Sequence, residues 1–238
     1  MLFQRAIKLH SLTEKRRVAL GYRLREPVAP VVVGISGGSY SGKRSFCRGL
    51  KALLNADEVV FLSETLYRLS PSIEPNSDGT VASLDISGPD TFDFERLLSH
   101  LEDLIAGNPV FVSAAAPAAN FRSDNWKLIS PTPIIVVEGE FLFENPELLR
   151  KLDFKVLIDV PAQTRAERIV AAEKAKGNLP LEWDAARVLE RLLPMHLQYV
   201  ESRRALADAV VSGENPFEPW LMDLGARVID ELMARRRR

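Results

Sequence analysis

The chain has 238 residues, of which 46% are hydrophobic and 26% charged, and its formal net charge is −1. That balance is the balance of a soluble globular protein with room for one α/β domain and a small lid or subdomain. It argues against a nucleic-acid binder driven by net charge. No stretch is long and apolar enough to span a bilayer, and a single cysteine, Cys47, excludes an internal disulfide and a cysteine-rich zinc site.

Residues 1–25 read as a helix, with a break at Gly21 and a loose stripe of Ala6, Leu9, Val18, Leu20 and Leu24; Pro27 and Pro30 end it. The N-terminal MLFQRAIKLHSLTEKRR lacks the apolar core of a signal peptide, although its basic amphipathic character leaves a transit peptide open. The expected location is cytoplasmic. Val31, Val32, Val33 and Ile35 then predict a buried strand, and Phe46, Leu50, Leu53 and Leu54 a helical face. Between them lie Gly37, Gly38, Ser39, Ser41, Gly42 and Lys43. Strand, glycine-rich loop and helix in that order are the context a phosphate-binding P-loop requires, against the alternative of an ordinary glycine-rich turn. Backbone N–H groups converge on the anion, the helix dipole adds to them, and Lys43 reaches the β- and γ-phosphates. One position departs from the pattern. A hydroxyl residue should follow the lysine to hold a metal, and Arg44 stands there. Ser45 comes one place late, turned by about 100° around the helix.

The second strand is predicted at 58–62, with Glu64 just past its end, where open parallel sheets carry their sites. Glu64 either faces the P-loop or is a solvated loop residue. Residues 68–90 are turn-rich, with one short strand at 80–86, and this length of loop suggests an acceptor-binding role. A helix follows over 94–106, then a strand at 110–113 and the pattern-poor stretch Ala114–Trp126, in which Arg122 could hold a polar or anionic group. The run at 133–137 predicts a strand that delivers Glu138, a carboxylate able to hold Mg²⁺ or to serve as a cap or ion-pair partner. Glu140 is a weaker candidate because Phe141, Leu142 and Phe143 look packed. A short helix at 145–151, a strand at 155–159 and a helix from Pro161 to Gly177 follow. On that last helix Arg165 and Arg168 share a face, suited either to a charge-neutralising lid or to solvent. A long helix at 184–206 bent by Pro194, a strand at 209–211 and a helix at 217–233 complete the chain, with four arginines trailing into solvent. His10, His100 and His196 share no ligand spacing and read as structural.

The resulting expectation is a three-layer α/β/α P-loop NTPase fold with a central parallel sheet and a helical lid at about 162–183. The P-loop domain spans 28–215, preceded by an N-terminal helical extension at 1–27 and followed by a C-terminal helix and basic tail at 216–238.

The ordered motifs resemble the uridine kinase and phosphoribulokinase family of P-loop kinases, most closely its uridine kinase-like branch, over about Val31 to Val211. The family's GGSxSGK-like loop stands here as GISGGSYSGK, and its LSxDxFY as LSETLY. Its PDAFD stands as Pro89-Asp90-Thr91-Phe92-Asp93, and its strand ending in Glu-Gly as VVEGEFLF. Its lid helix corresponds to TRAERI and its KYADVII strand to RALADAVV. The resemblance implies phosphorylation of a hydroxyl on a small molecule by ATP with Mg²⁺. It implies Glu64 as general base, one place from the family's acid, and Glu138 as the acid that helps coordinate Mg²⁺, with Ser45 the nearest hydroxyl. Lys43, Arg165 and Arg168 would contact phosphates; Asp90, Arg122 and, if a gap is allowed at Ser87, Asp85 would bind the acceptor. The family's nucleoside-reading tyrosine and histidine are Ala115 and Asn120 here, and a further lid arginine is Ala172. Three readings stay open: a kinase for a non-uridine acceptor, a uridine or cytidine kinase, and a non-catalytic nucleotide binder. Nucleic acid and membrane are not expected partners; homo-oligomerisation is open.

Overall fold

The computed structural model describes residues 28–69, 88–113, 126–177, 179 and 181–237. The helix expected at 1–25, the strand expected at 80–86, and Asp85, Ser87, Ala115, Asn120 and Arg122 lie outside the described residues.

Five strands, β1 (Val31–Ser36), β2 (Val59–Ser63), β5 (Ile134–Gly139), β6 (Phe154–Asp159) and β7 (Ala209–Ser212), form one parallel sheet in the order β2-β5-β1-β6-β7. All six β1 residues are buried, as a strand covered on both faces requires. Val31, Val33 and Ile35 face one layer, with α1 (Lys43–Leu53) and α6 (Glu218–Arg235) packed there through Phe46, Leu50, Leu224 and Val228. Val32 and its neighbours Ile135 and Val137 face the other layer, built from Leu97, Leu101 and Leu104 of α2 (Phe94–Ile105) and Leu148 of α3 (Pro146–Lys151). A third, smaller core joins α4 (Ala162–Ala175) to α5 (Ala185–Tyr199) through Ala166, Ile169, Trp183, Val188 and Leu192, and forms a helical hairpin. Asp93, Asn145 and Asp184 cap α2, α3 and α5 by accepting first-turn N–H groups.

Several expectations need correction. The strand at 110–113 is real but does not join the parallel core. As β3 (Val110–Ser113) it pairs antiparallel with β4 (Trp126–Ile129), a strand the sequence pattern did not reveal. Val110, Val112 and Ile129 of this ribbon are buried, while Phe111, Trp126 and Leu128 stay exposed, so β4 carries no clear one-faced apolar pattern. The second strand begins at Val59, because Glu58 belongs to the 3₁₀ turn Ala56–Glu58. The long helix ends at Tyr199 and a 3₁₀ turn, Glu201–Leu206, replaces its last turns; Pro194 lies inside α5 without ending it. Helix α6 lies in the main core, and its end does not trail away. Arg235 donates to the carbonyl of Pro30, to Asp153 and to Glu231, while Asp153 accepts from the N–H of Val32 at 2.8 Å. This network fastens the last helix to the start of β1. Arg235→Ala should therefore cost about 2 kcal/mol, measured as a lower urea midpoint at unchanged m-value.

Candidate active site

The chain leaves β1 at Ser36, turns through Gly37–Gly42 and enters α1 at Lys43. This places the loop at the carboxyl end of the central strand, beside the ends of β5 and β6, where strand order reverses. The Lys43 ammonium donates to the carbonyls of Gly37 at 2.6 Å and Gly38 at 3.0 Å, so it is held on the loop. Ser39 donates to the Glu140 carboxylate at 2.6 Å and Ser36 to the Glu140 carbonyl at 3.1 Å, which anchors the loop to the end of β5.

Helix α4 reaches the same loop. Arg165 is fully buried and donates through Nε to the Val160 carbonyl at 3.2 Å, yet neither Nη has a hydrogen-bond partner. Its guanidinium lies so close to Gly38 that a Cβ there would overlap it. Burial lowers the Arg165 pKa, against the pull of Glu140 and Asp159. The Ser41 hydroxyl, also fully buried, likewise lacks a partner. Buried donors left open beside a glycine-rich loop are costly unless a ligand supplies acceptors, and a phosphate supplies several with the matching charge. The loop therefore fits the phosphates of a nucleotide. Arg168 donates to the carbonyls of Tyr40 at 3.3 Å and Gly213 at 3.1 Å, so both lid arginines reach the loop region from one helix.

The acidic side is set by strand register. Ser63 of β2 pairs with Glu138 of β5, which pairs with Ile35 of β1. Glu138 is buried and accepts a hydrogen bond from the Ser63 hydroxyl. Glu64 follows, and it is a buried side chain, not a solvated loop residue: it is 2% exposed and accepts from the Phe141 N–H at 2.9 Å. It packs onto Gly139, where a Cβ would collide with its carboxylate. Burial pushes the Glu64 carboxyl up to about 8, with the Phe141 N–H opposing, Glu140 adding, Lys43 opposing and Glu138 adding. Those influences place Lys43 and three carboxylates in one electrostatic neighbourhood.

Asp90 sits exposed in the 3₁₀ turn Pro89–Thr91, on an open depression of about 560 Å³ that it shares with Leu69, Phe92, Asp93 and Asn145. Arg44 and Ser45 are both exposed on the first turn of α1. Among the described residues no group of three His, Cys, Asp or Glu could hold a metal unaided. The donors near the loop, the Glu138 carboxylate and the Ser63 hydroxyl, are hard oxygens that fit Mg²⁺ carried in largely by nucleotide phosphates and water. The contacts of Glu140 with Ser39, of Ser63 with Glu138, of Tyr40 with Glu173 and of Gly139 with Glu64 arise only in the fold. The Glu-Gly pair was visible, but only the fold brings Glu64 against it.

The parallel sheet, the loop and the lid arginines define the P-loop kinase fold. Solved structures agree on that fold. A putative fructose transport system kinase from Silicibacter sp. TM1040 superposes with a TM-score of 0.57 at 20% identity, covering 86% of this chain and 97% of that one. A phosphoribulokinase from Rhodobacter spheroides superposes at 0.54 and 14% identity, covering 81% and 75%. Sequence comparison goes further. The model of the Phosphoribulokinase / Uridine kinase family matches residues 32–212. A uridine kinase of Chloroflexus aurantiacus is 30% identical over 189 residues, 79% of this chain and 90% of its own. One of Deinococcus deserti is 30% identical over 202 residues, 84% and 96%. The chain belongs to the phosphoribulokinase/uridine kinase family and is a kinase. Among the described residues no helix is long and apolar enough to cross a membrane.

The raised Glu64 pKa makes a stability prediction. The folded protein keeps a proton on Glu64 that the unfolded chain releases near 4.5, so its contribution to stability is complete below that pH and is lost as pH rises toward 8. In Glu64→Gln, which stays neutral, that slope disappears. Its unfolding free energy relative to the parent should grow by roughly 2–4 kcal/mol between pH 5 and pH 8 and then level off, read by urea denaturation across pH.

Proposed function

We propose that this kinase transfers the γ-phosphoryl group of ATP, with Mg²⁺, to a hydroxyl of a small molecule: a nucleoside, a sugar or a vitamin-like alcohol. The observation that carries this reading is the meeting at one sheet end of an arginine with open donors, a lysine held on a glycine-rich loop and a buried carboxylate. The first two suit the phosphates and the third suits an acceptor. Lys43 has only to exchange the carbonyls of Gly37 and Gly38 for phosphate oxygens. Arg165 already points open donors at the loop, and such preorganised charge is what phosphoryl transfer needs most. Mg²⁺, when bound, neutralises phosphate charge, and Glu138 with Ser63 would help to hold it. Glu64 takes the proton of the acceptor hydroxyl, directly or through water. Asp90 borders the surface where the acceptor would arrive; Asp85 and Arg122 complete the proposed acceptor set.

A panel of hydroxyl acceptors with labelled ATP tests the reading. Uridine and cytidine belong on it, because the relatives named above are called uridine kinases. Transfer to at least one acceptor is expected, and transfer to none would overturn it. Because Glu64 must lose its proton to act as base, kcat/KM should rise with pH through about 8. Glu64→Gln should lower kcat by 100-fold or more, about the contribution of a general base, while ATP affinity changes little. Equal turnover in that variant would remove Glu64 from the chemistry.

Arg44 supports a second outcome, nucleotide binding without turnover, because arginine offers no lone pair to a cation. Its exposed position leaves the metal to phosphates, water and Glu138, which predicts weak Mg²⁺ affinity and low but real activity. Arg44→Ser should strengthen Mg²⁺-dependent ATP binding and raise transfer severalfold. Calorimetry with Mg²⁺ and with a chelator measures this. Tight metal-independent binding with no turnover in either form would leave a nucleotide-binding protein on a kinase scaffold.

A further inference from the structure

Tyr40 lies in the middle of the nucleotide loop with φ of 60°, and among the described residues it is the one non-glycine residue with positive φ. A bulky side chain holds that left-handed conformation only when its surroundings impose it, and such outliers concentrate at functional sites. The surroundings here are one face of α4. The Tyr40 hydroxyl donates to the Glu173 carboxylate near the end of that helix, and the Tyr40 carbonyl accepts from Arg168 at 3.3 Å. Glu173 is itself buried and also accepts from Lys176 at 2.7 Å, so its charge is matched before any phosphate arrives. Arg165, a turn before Arg168, lies against Gly38. Three side chains of a single helix thus grip adjacent parts of one loop. Because α4 and α5 share their own small core, whatever holds α4 holds the hairpin.

We propose that the Tyr40–Glu173 hydrogen bond is a latch that fastens the α4–α5 hairpin onto the nucleotide loop. The latch keeps Arg165 and Arg168 in place before ATP binds and slows its departure afterwards. Tyr40 and Glu173 are then positioning residues for the proposed phosphoryl transfer, acting through the two arginines. Nothing in the loop's phosphate-binding role asks for a phenol at residue 40; glycine would adopt the same backbone without strain. The latch rests on the nucleotide-binding reading for its consequence, but its mechanical part can be tested without nucleotide.

Three variants separate the possibilities. Tyr40→Phe removes the hydroxyl and keeps the ring and the strain. Tyr40→Gly removes the latch and relieves the strain. Glu173→Ala removes the other partner. In the ligand-free full chain, hydrogen exchange of the α4 amides should quicken about tenfold in Tyr40→Phe, the loss expected when a hydrogen bond to a charged group is removed. With a fluorescent ATP analogue chased by ATP, the release rate should also rise about tenfold in Tyr40→Phe and in Tyr40→Gly. Tyr40→Gly should do so while its melting temperature stays level or rises, which a purely structural role would not produce. The double variant Tyr40→Phe/Glu173→Ala should release nucleotide no faster than the faster single variant. Unchanged exchange of α4 in Tyr40→Phe overturns the latch whether or not nucleotide binds. Unchanged release rates alongside a lowered melting temperature would reduce Tyr40 to a packing residue. If the parent protein binds no ATP analogue, the kinase mechanism falls instead, and the exchange comparison still decides the latch.

Discussion

Strand β1 is hydrogen-bonded along both edges and covered on both faces, and that confinement dictates the rest of the architecture. Its backbone has to leave the sheet in a tight loop, and the groups released there need partners. Lys43 fills two of the carbonyls, Glu140 takes two of the serines, and the remaining donors wait for a ligand. The same strand sets the register of β5 and, through it, β2. The row Ser63–Glu138–Ile35 is therefore fixed by backbone pairing, long before any side chain contributes chemistry.

The charges at this end of the sheet are balanced for a visitor. Arg165 is buried without an acceptor for either Nη, while Glu64 is buried with one N–H donor and a carboxyl held largely neutral below pH 8. Each is unfavourable alone. Together they mark this end of the sheet as a place where buried charge is kept for a purpose other than stability.

Much of this molecule was readable from its residues. Runs such as VVVGIS and PIIVV are buried on both faces, so their apolar character survives any tertiary arrangement and marks central strands. The loop from Gly37 to Lys43 is a contiguous motif whose function depends on its own backbone, and the carboxylates at strand ends follow from parallel topology. Elements at the edge were poorly legible. Three of the four residues of Trp126–Ile129 are exposed, on both faces of the strand, so no alternation marks it, and the end of α5 at Tyr199 has no glycine or proline to announce it.

The sequence by itself determined the five strands of the parallel sheet, the phosphate loop and the identity of the acidic candidates, because those depend on local periodicity and on short contiguous spacing. Only the tertiary structure decided that Glu64 is buried against Gly139, that Glu140 anchors Ser39, that Arg165 keeps open donors under Gly38, and that Tyr40 is tied to Glu173. Each of those contacts joins residues from 75 to 133 positions apart. No local pattern encodes which buried charge will find which partner, since burial and proximity are properties of the packed chain.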